Sequence, residues 1–225
     1  MFLVIEGLDG AGKSTQVRLL QEALKERGIE SEFLHFPRFD SPFYGELIAR
    51  FLRGDFGGLD QVDPYLVATL YAGDRMNASA QIQSWLNQGK CVITDRYVYS
   101  NIAYQCAKIE SEQERERLRE WIFDLEYENN KIVVPDVSLF LDVPFKFTEK
   151  SLATQREGDD REYLKGKSDI HESSLDFQRK VRSIYLSQQE KDDRFKIVNC
   201  CSENGEMLPA EEIFFQISAF LPFNV

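Results

Sequence analysis

Gly7-Leu8-Asp9-Gly10-Ala11-Gly12-Lys13-Ser14 is the stretch that decides the fold. It reads G-x-x-x-x-G-K-[ST], a phosphate-binding loop. Glycines let the backbone curl until several N–H groups point at one anion. A lysine at position 13 reaches the outer phosphates, and a hydroxyl at position 14 suits Mg²⁺. Phe2-Leu3-Val4-Ile5, directly before the loop, is a short apolar run with the composition of a strand. After it, Val17, Leu20 and Leu24 fall on one helical face between Ser14 and Arg27, and Gly28 suits a cap. The motif therefore has the strand–loop–helix context its chemistry demands, which a glycine turn that binds nothing does not need. Gly7, Asp9, Gly10, Ala11, Gly12, Lys13, Ser14 and Thr15 form the first candidate site.

Working outward, apolar strand-like runs alternate with helical patterns, which predicts a parallel sheet with crossover helices. Strands are expected at Glu32–Phe36, Cys91–Thr94, Ser138–Val143 and Phe195–Val198. Helices are expected at Pro42–Arg53, Pro64–Gln88, Tyr99–Lys108, Glu112–Glu128, Leu175–Gln188 and Pro209–Ala219. The fold class that follows is α/β, a doubly wound five-stranded parallel sheet in a single domain over 1–225. Thr154–Ser168 is charged and poor in apolar residues, so it reads as an exposed loop. Ligands bind such sheets at the C-terminal ends of the strands. That rule collects the glycine loop, His35–Arg38, Asp95–Tyr104 and the segment after Val143 on one rim.

Composition narrows the partners. The chain has 225 residues, 43% of them apolar, enough for one sizeable core. A net charge of −11 opposes binding to duplex DNA and to anionic membranes, so phosphates must be met by local cations. No apolar run approaches the roughly 20 residues that span a bilayer. The chain enters a strand at once, so no signal or transit peptide is expected, and the expected location is the cytoplasm. Cys91, Cys106, Cys200 and Cys201 have no metal-type spacing and read as reduced thiols. His35 and His171 read as structural.

Several side chains on the rim can carry chemistry. Arg38, after Phe36-Pro37, suits a second phosphate because its planar fork donates in pairs; the alternative is a surface ion pair. Tyr71 and Arg75 lie four apart on one helix face, so a ring and a guanidinium can meet a base; a solvated helix face is the plainer reading. Asp95-Arg96 ends a buried strand, where charges need a reason. Asp95 can order a metal-bound water or take a proton, and Arg96 can hold a transferring phosphoryl group, against the alternative of a structural pair. Arg156, Arg161, Lys165 and Lys167 are cations in the charged loop that can close over a nucleotide or remain solvated. Asp169 and Glu172 follow as ordinary acids that can also touch a metal or a sugar. Two phosphate sites in one domain point to a small-molecule phosphoryl transferase. A GTPase would want a guanine-reading Asn-Lys-x-Asp, which the chain lacks.

At this point the chain resembles the thymidylate kinases over nearly its whole length. The resemblance rests on Ile5–Thr15, Phe36-Pro37-Arg38, Tyr71–Arg75, Asp95–Gln105, the charged loop and Phe177–Leu186. It implies a nucleoside monophosphate kinase architecture and transfer of the γ-phosphate of ATP to dTMP with Mg²⁺, held at Ser14 and Asp95. It implies Lys13 on the donor phosphates, Asp9 near the acceptor's sugar and phosphate, Arg38 and Arg96 on the dTMP phosphate, and Phe36 in the acceptor site. Tyr71 would stack on thymine, Arg75 would bond a thymine carbonyl, Asn101 would face the base edge, and Tyr104 would crowd the 2′ position. Gly10 stands where some members carry an arginine, so this chain resembles the kind whose lid, here about 154–168, supplies that charge through Arg156 and Arg161. The resemblance also implies a homodimer, with Tyr65–Leu70 and Ile102 as contacts. A deoxynucleoside kinase and a non-catalytic nucleotide sensor are the rival readings; the acceptor-side arginines oppose the first, and the intact Lys13, Ser14 and Asp95 oppose the second.

Overall fold

The computed structural model describes residues 1–153, 159–172 and 174–221; at 151–153 and 159–161 it describes the backbone alone. Five parallel strands form one sheet in the order β2-β3-β1-β4-β5: β1 (Phe2–Gly7), β2 (Ser31–His35), β3 (Cys91–Asp95), β4 (Val137–Asp142) and β5 (Phe195–Asn199). The helices are α1 (Lys13–Glu26), α2 (Tyr44–Leu52), α3 (Pro64–Asn87), α4 (Val98–Cys106), α5 (Glu112–Phe123), α6 (Phe145–Ala153), α7 (Leu175–Leu186) and α8 (Ala210–Ser218). The doubly wound five-stranded sheet expected from the alternation is the one observed.

Side chains alternate across the sheet, and each face has its own core. Leu3, Ile5 and Ile93 pack with Val17, Leu20 and Leu24 of α1 and with Ile213 and Ile217 of α8. Phe2, Val4 and Val92 pack on the other face with Ile102 of α4, Leu118 of α5 and Val181 of α7. Each such fully buried side chain contributes about 1.5–3 kcal/mol. The neighbouring strands β1 and β3 thus send their helices to opposite faces. A crevice must open between them at the C-terminal rim, and it is there that the phosphate loop lies.

Four differences from the sequence reading matter. Phe145–Ala153, after β4, is a helix that the reading did not anticipate. The helix expected over Glu112–Glu128 changes to a π-helix at Asp124–Asn129, which turns Glu126 inward. Ile102 is fully buried and cannot be a subunit contact, because α4 is packed on all sides; Leu66 of α3, 66% exposed, can. The C-terminal part of the charged loop is not simply exposed. A 3₁₀ turn at Asp159–Leu164 buries Leu164, and the Tyr163 ring stacks on Phe39 at 3.8 Å. That segment is tied down by Arg53, which donates to the Tyr163 carbonyl at 2.6 Å, and by Lys167, which donates to Asp55 at 2.7 Å. Gly73 lets α3 approach α2: a Cβ there would fall 2.2 Å from the Tyr44 ring.

Candidate active site

The phosphate loop begins where β1 ends. Gly10 and Gly12 have φ of 78° and 82°, in the left-handed region where glycine alone is unstrained. Gly12 caps α1 with no side-chain acceptor, so the first-turn N–H groups are available to an anion. Lys13 is buried beneath the loop. Its Nζ donates to the carbonyls of Leu8 at 3.2 Å and Gly7 at 3.4 Å, and lies 3.7 Å from Asp95 Oδ1. Burial, then the like charge of Arg96, holds its ammonium below the usual range, while Asp95, Asp9 and Glu6 oppose that shift. Ser14 and Thr15 are exposed at the loop's edge, and Ser14 lines the cavity described next.

One cleft runs from this loop across the rim. Asp9, Lys13, Ser14, Asp95 and Arg96 line its phosphate end, and Phe36, Tyr71, Arg75, Asn101, Tyr104 and Gln105 line its far wall. Tyr163, Asp169, His171 and Glu172 close the third side. The sheet register sets His35, Asp95 and Ile5 in one row across β2, β3 and β1, which explains why His35 Nδ1 lies 3.4 Å from Asp95 Oδ2. Burial pushes the Asp95 carboxyl up, but Lys13, the His35 hydrogen bond and Arg96 together outweigh it and leave the group below its ordinary value. Asp95 is therefore a stable carboxylate and a weak base.

Arg96 stands in the left-handed region at φ 67°, a strained position for a residue with a side chain. Its Nη2 donates to Asp9 Oδ1 at 2.7 Å, and its Nη1 to Ser100 Oγ at 3.3 Å. Behind it, Glu6 is wholly buried and accepts from Ser100 Oγ at 2.6 Å, Tyr185 Oη at 2.9 Å and the Tyr97 N–H at 2.9 Å. Tyr97 supplies no side-chain cap to α4, so this carboxylate from β1 caps that helix instead. The Tyr104 hydroxyl donates to Asp9 Oδ2 at 3.1 Å, which fixes its ring along the cleft.

At the far end, Arg75 and Glu126 form a fork at 2.5 and 2.6 Å, with Arg75 2% exposed and Glu126 fully buried. Nε and Nη2 of Arg75 are thus taken, because a buried carboxylate must be paired. Asn101 Nδ2 donates to Glu126 at 3.0 Å and to the Ala68 carbonyl at 3.1 Å. Both amide protons are thereby used, and the buried Asn101 Oδ1 has no hydrogen-bond partner among the described residues. Gln105 Nε2 and His171 Nε2 are buried and unpaired in the same way, and both residues line the cleft. Buried polar atoms are rarely left unmatched, and several around one cleft imply a ligand that matches them.

The structure therefore brings together Asp9, Lys13, Ser14, Phe36, Tyr71, Arg75, Asp95, Arg96, Asn101 and Tyr104. Arg38 does not line this cleft. Asp74, a carboxylate 1% exposed, holds it through Nε at 3.0 Å, Nη2 at its backbone carbonyl at 2.7 Å, and the Arg38 N–H at 2.8 Å; Arg38 faces an adjoining groove instead. Arg156 and the Arg161 side chain lie outside the described residues. Sequence reasoning missed Glu6, His35, Gln105, Glu126 and His171. His171, read as structural, is kept neutral by burial and by nearby Lys108.

The family model described as thymidylate kinase matches residues 5–207. A probable thymidylate kinase of Thermococcus kodakarensis is 37% identical over 208 residues, 90% of this chain and 91% of its own. The thymidylate kinase of Mycobacterium tuberculosis is 30% identical over 210 residues, 92% and 95% of the two chains. A solved structure of thymidylate kinase from Candida albicans superposes with a TM-score of 0.70 at 28% identity, covering 96% of this chain and 88% of the other.

Proposed function

This chain belongs to the thymidylate kinase family, and we propose how its cleft divides the work of that family's reaction. The enzyme transfers the γ-phosphate of ATP to dTMP, giving dTDP and ADP. ATP phosphates sit on the glycine loop, with Lys13 neutralising the charge that grows on the transferred group. The carrying observation is the set of unmatched polar atoms at the far wall beside that loop. Asn101 Oδ1 asks for a donor, which N3–H of thymine supplies and N3 of cytosine does not. Arg75 keeps Nη1 for a carbonyl, Gln105 offers Nε2 to another, and Tyr71 supplies a ring face for stacking.

The acceptor phosphate falls to Arg96, already aimed by Asp9 and by Glu6 acting through Ser100, with Arg38 as an outer contact from the adjoining groove. That phosphate is anionic at neutral pH, so the reaction needs positioning and charge neutralisation more than a base. Tyr104, locked by Asp9, walls the sugar and disfavours a 2′-hydroxyl. Mg²⁺ fits the donor set: Ser14 and Asp95 Oδ1 are hard oxygens on one cleft, and this ion takes its remaining ligands from phosphates and water. Bound there, it would supply positive charge against the ATP phosphates. Arg156 and Arg161 are proposed as the lid arginines that complete the site, and Glu172, on the cleft wall, as a sugar contact.

No helix among the described residues is long and apolar enough to cross a membrane. The four cysteines are free, which supports a reducing cytoplasm as the working compartment. A homodimer through α3 is supported by the exposed Leu66. The test of the catalytic reading is ADP release with ATP and Mg²⁺ against dTMP, dUMP, dCMP, UMP and thymidine. Turnover on dTMP at least about 100-fold above dCMP is expected; equal use of both would overturn the role of Asn101.

A further inference from the structure

Lys108 follows α4, in the turn where its backbone N–H donates to the Gln105 carbonyl at 3.2 Å. It does not line the cleft. Its ammonium rests 4.6 Å from the centre of the Phe51 ring and donates to Gln105 Oε1 at 2.7 Å. Phe51 fixes the ammonium from one side by a cation–π contact. An ammonium only donates, so the oxygen of the Gln105 amide must face it. The nitrogen end must then point away. That nitrogen, Nε2, is buried and unpaired, and Gln105 lines the acceptor cleft.

We propose that Lys108 is a positioning residue for acceptor recognition: by holding Gln105 Oε1, it fixes Nε2–H as a donor in the cleft for a carbonyl of a pyrimidine-2,4-dione base. The inference rests on the reading of this wall as the base site. Without Lys108 the amide can turn over and present its oxygen, an acceptor facing an acceptor. The ammonium also polarises the amide and strengthens its N–H as a donor. Burial lowers the Lys108 ammonium to about 7, with Asp60 and Asp63 opposing, so the group is charged in slightly acidic buffer.

The test is a double-mutant cycle with Lys108→Met and Gln105→Leu, assayed at about pH 6 for KM and kcat with dTMP and with ATP. Lys108→Met keeps the stem over Phe51 and removes a half-buried charge, which favours folding. Each single variant is expected to raise KM for dTMP about three- to tenfold, the range for one hydrogen bond. The kcat and the KM for ATP should stay unchanged, and the double variant should be no worse than Gln105→Leu alone. Losses that multiply in the double variant, or an unchanged KM in Lys108→Met beside a raised one in Gln105→Leu, overturn the positioning role. An unchanged KM in Gln105→Leu overturns the reading of the wall instead. Gln105→Glu is a second handle that leaves Lys108 in place: with one oxygen held by Lys108, the other would face the base carbonyl, so KM must rise at least as far as in Gln105→Leu, and a wild-type KM would refute the donor.

Discussion

Asp169→Asn should flatten the acid dependence of this enzyme's stability. Asp169 is 7% exposed; its Oδ2 accepts from the Tyr163 hydroxyl at 2.8 Å and its Oδ1 from the His171 N–H at 2.7 Å. Burial pushes its carboxyl up to about 7 from 3.8; Asp9 and Glu172 add to this, and the two donated hydrogen bonds work against it. Its folded pKa lies above its unfolded one. Between those values the folded chain keeps a proton that the unfolded chain has lost. The resulting stabilisation is complete below about pH 4 and is lost as pH rises through about 7. A gap of about three units corresponds to about 4 kcal/mol over the whole window, at about 1.36 kcal/mol per unit. About 2 kcal/mol of that falls between roughly pH 5.5 and 7.5, clear of the isoelectric region. Asn imitates the neutral acid and does not titrate. Urea unfolding of both proteins at the two pH values, followed by circular dichroism, isolates the effect, because all other groups cancel in the difference. The wild type should lose about 2 kcal/mol more than the variant on going to the higher pH. Parallel profiles would refute the claim that Asp169 is held neutral beside the cleft.

Other consequences are equally direct. Arg96→Ala should lower kcat/KM for dTMP by about 100-fold or more, since it removes a charged donor already aimed at the acceptor phosphate; steady-state kinetics check this, and unchanged turnover sinks the assignment. Glu126→Gln should leave Arg75 buried without its counter-charge and cost about 3–5 kcal/mol in urea unfolding, with a raised KM for dTMP. Gly73→Ala should destabilise by about 1–3 kcal/mol through the clash with Tyr44, and pairing it with Tyr44→Ala should make the Gly73 change nearly silent; an additive loss would contradict the packing.

The residues that sequence revealed share one property: their chemistry depends on neighbours in the chain. The glycine loop is legible because Gly10, Gly12, Lys13 and Ser14 act as one local unit between a strand and a helix. The rim residues Asp95 and Arg96 were legible because charge at the end of an apolar run is conspicuous. Glu126 was not, since it lies in a segment where acids are common, and only the π-helix turns it inward to meet Arg75 from 51 positions away. The partner of Arg38 was hidden for the same reason: Asp74 is 36 positions distant and gives no local sign that it is buried. Glu6 sits in an apolar strand as an apparent interruption, and its role as a cap for α4 exists only because the register sets β1 beside β3. Gln105 closes a recognisable segment but carries no charge, so its unmatched amide is visible only in three dimensions.

Thymidine provides the sharpest choice between phosphorylating a monophosphate and phosphorylating a nucleoside. A neutral 5′-hydroxyl attacks well only if a base near it removes a proton, and that base works best with a pKa near the working pH. Two carboxylates stand at the phosphate end of the cleft. Asp95 is driven below its ordinary value by Lys13, His35 and Arg96 against the pull of burial, which makes it a poor proton acceptor. Asp9 already accepts from Arg96 and Tyr104 through its two oxygens, so taking a proton would break a charged pair. A dTMP phosphate needs no such base and answers the positive charge of Arg96 directly. With thymidine in the cleft, Arg96 has no anion to meet and neither carboxylate at the phosphate end is a ready base, so turnover should fall by at least about 1,000-fold, combining the loss of proton transfer with the loss of a charged contact. ADP release with thymidine within tenfold of dTMP would mean that one of these carboxylates acts as a base and that the electrostatic account of Asp95 is wrong.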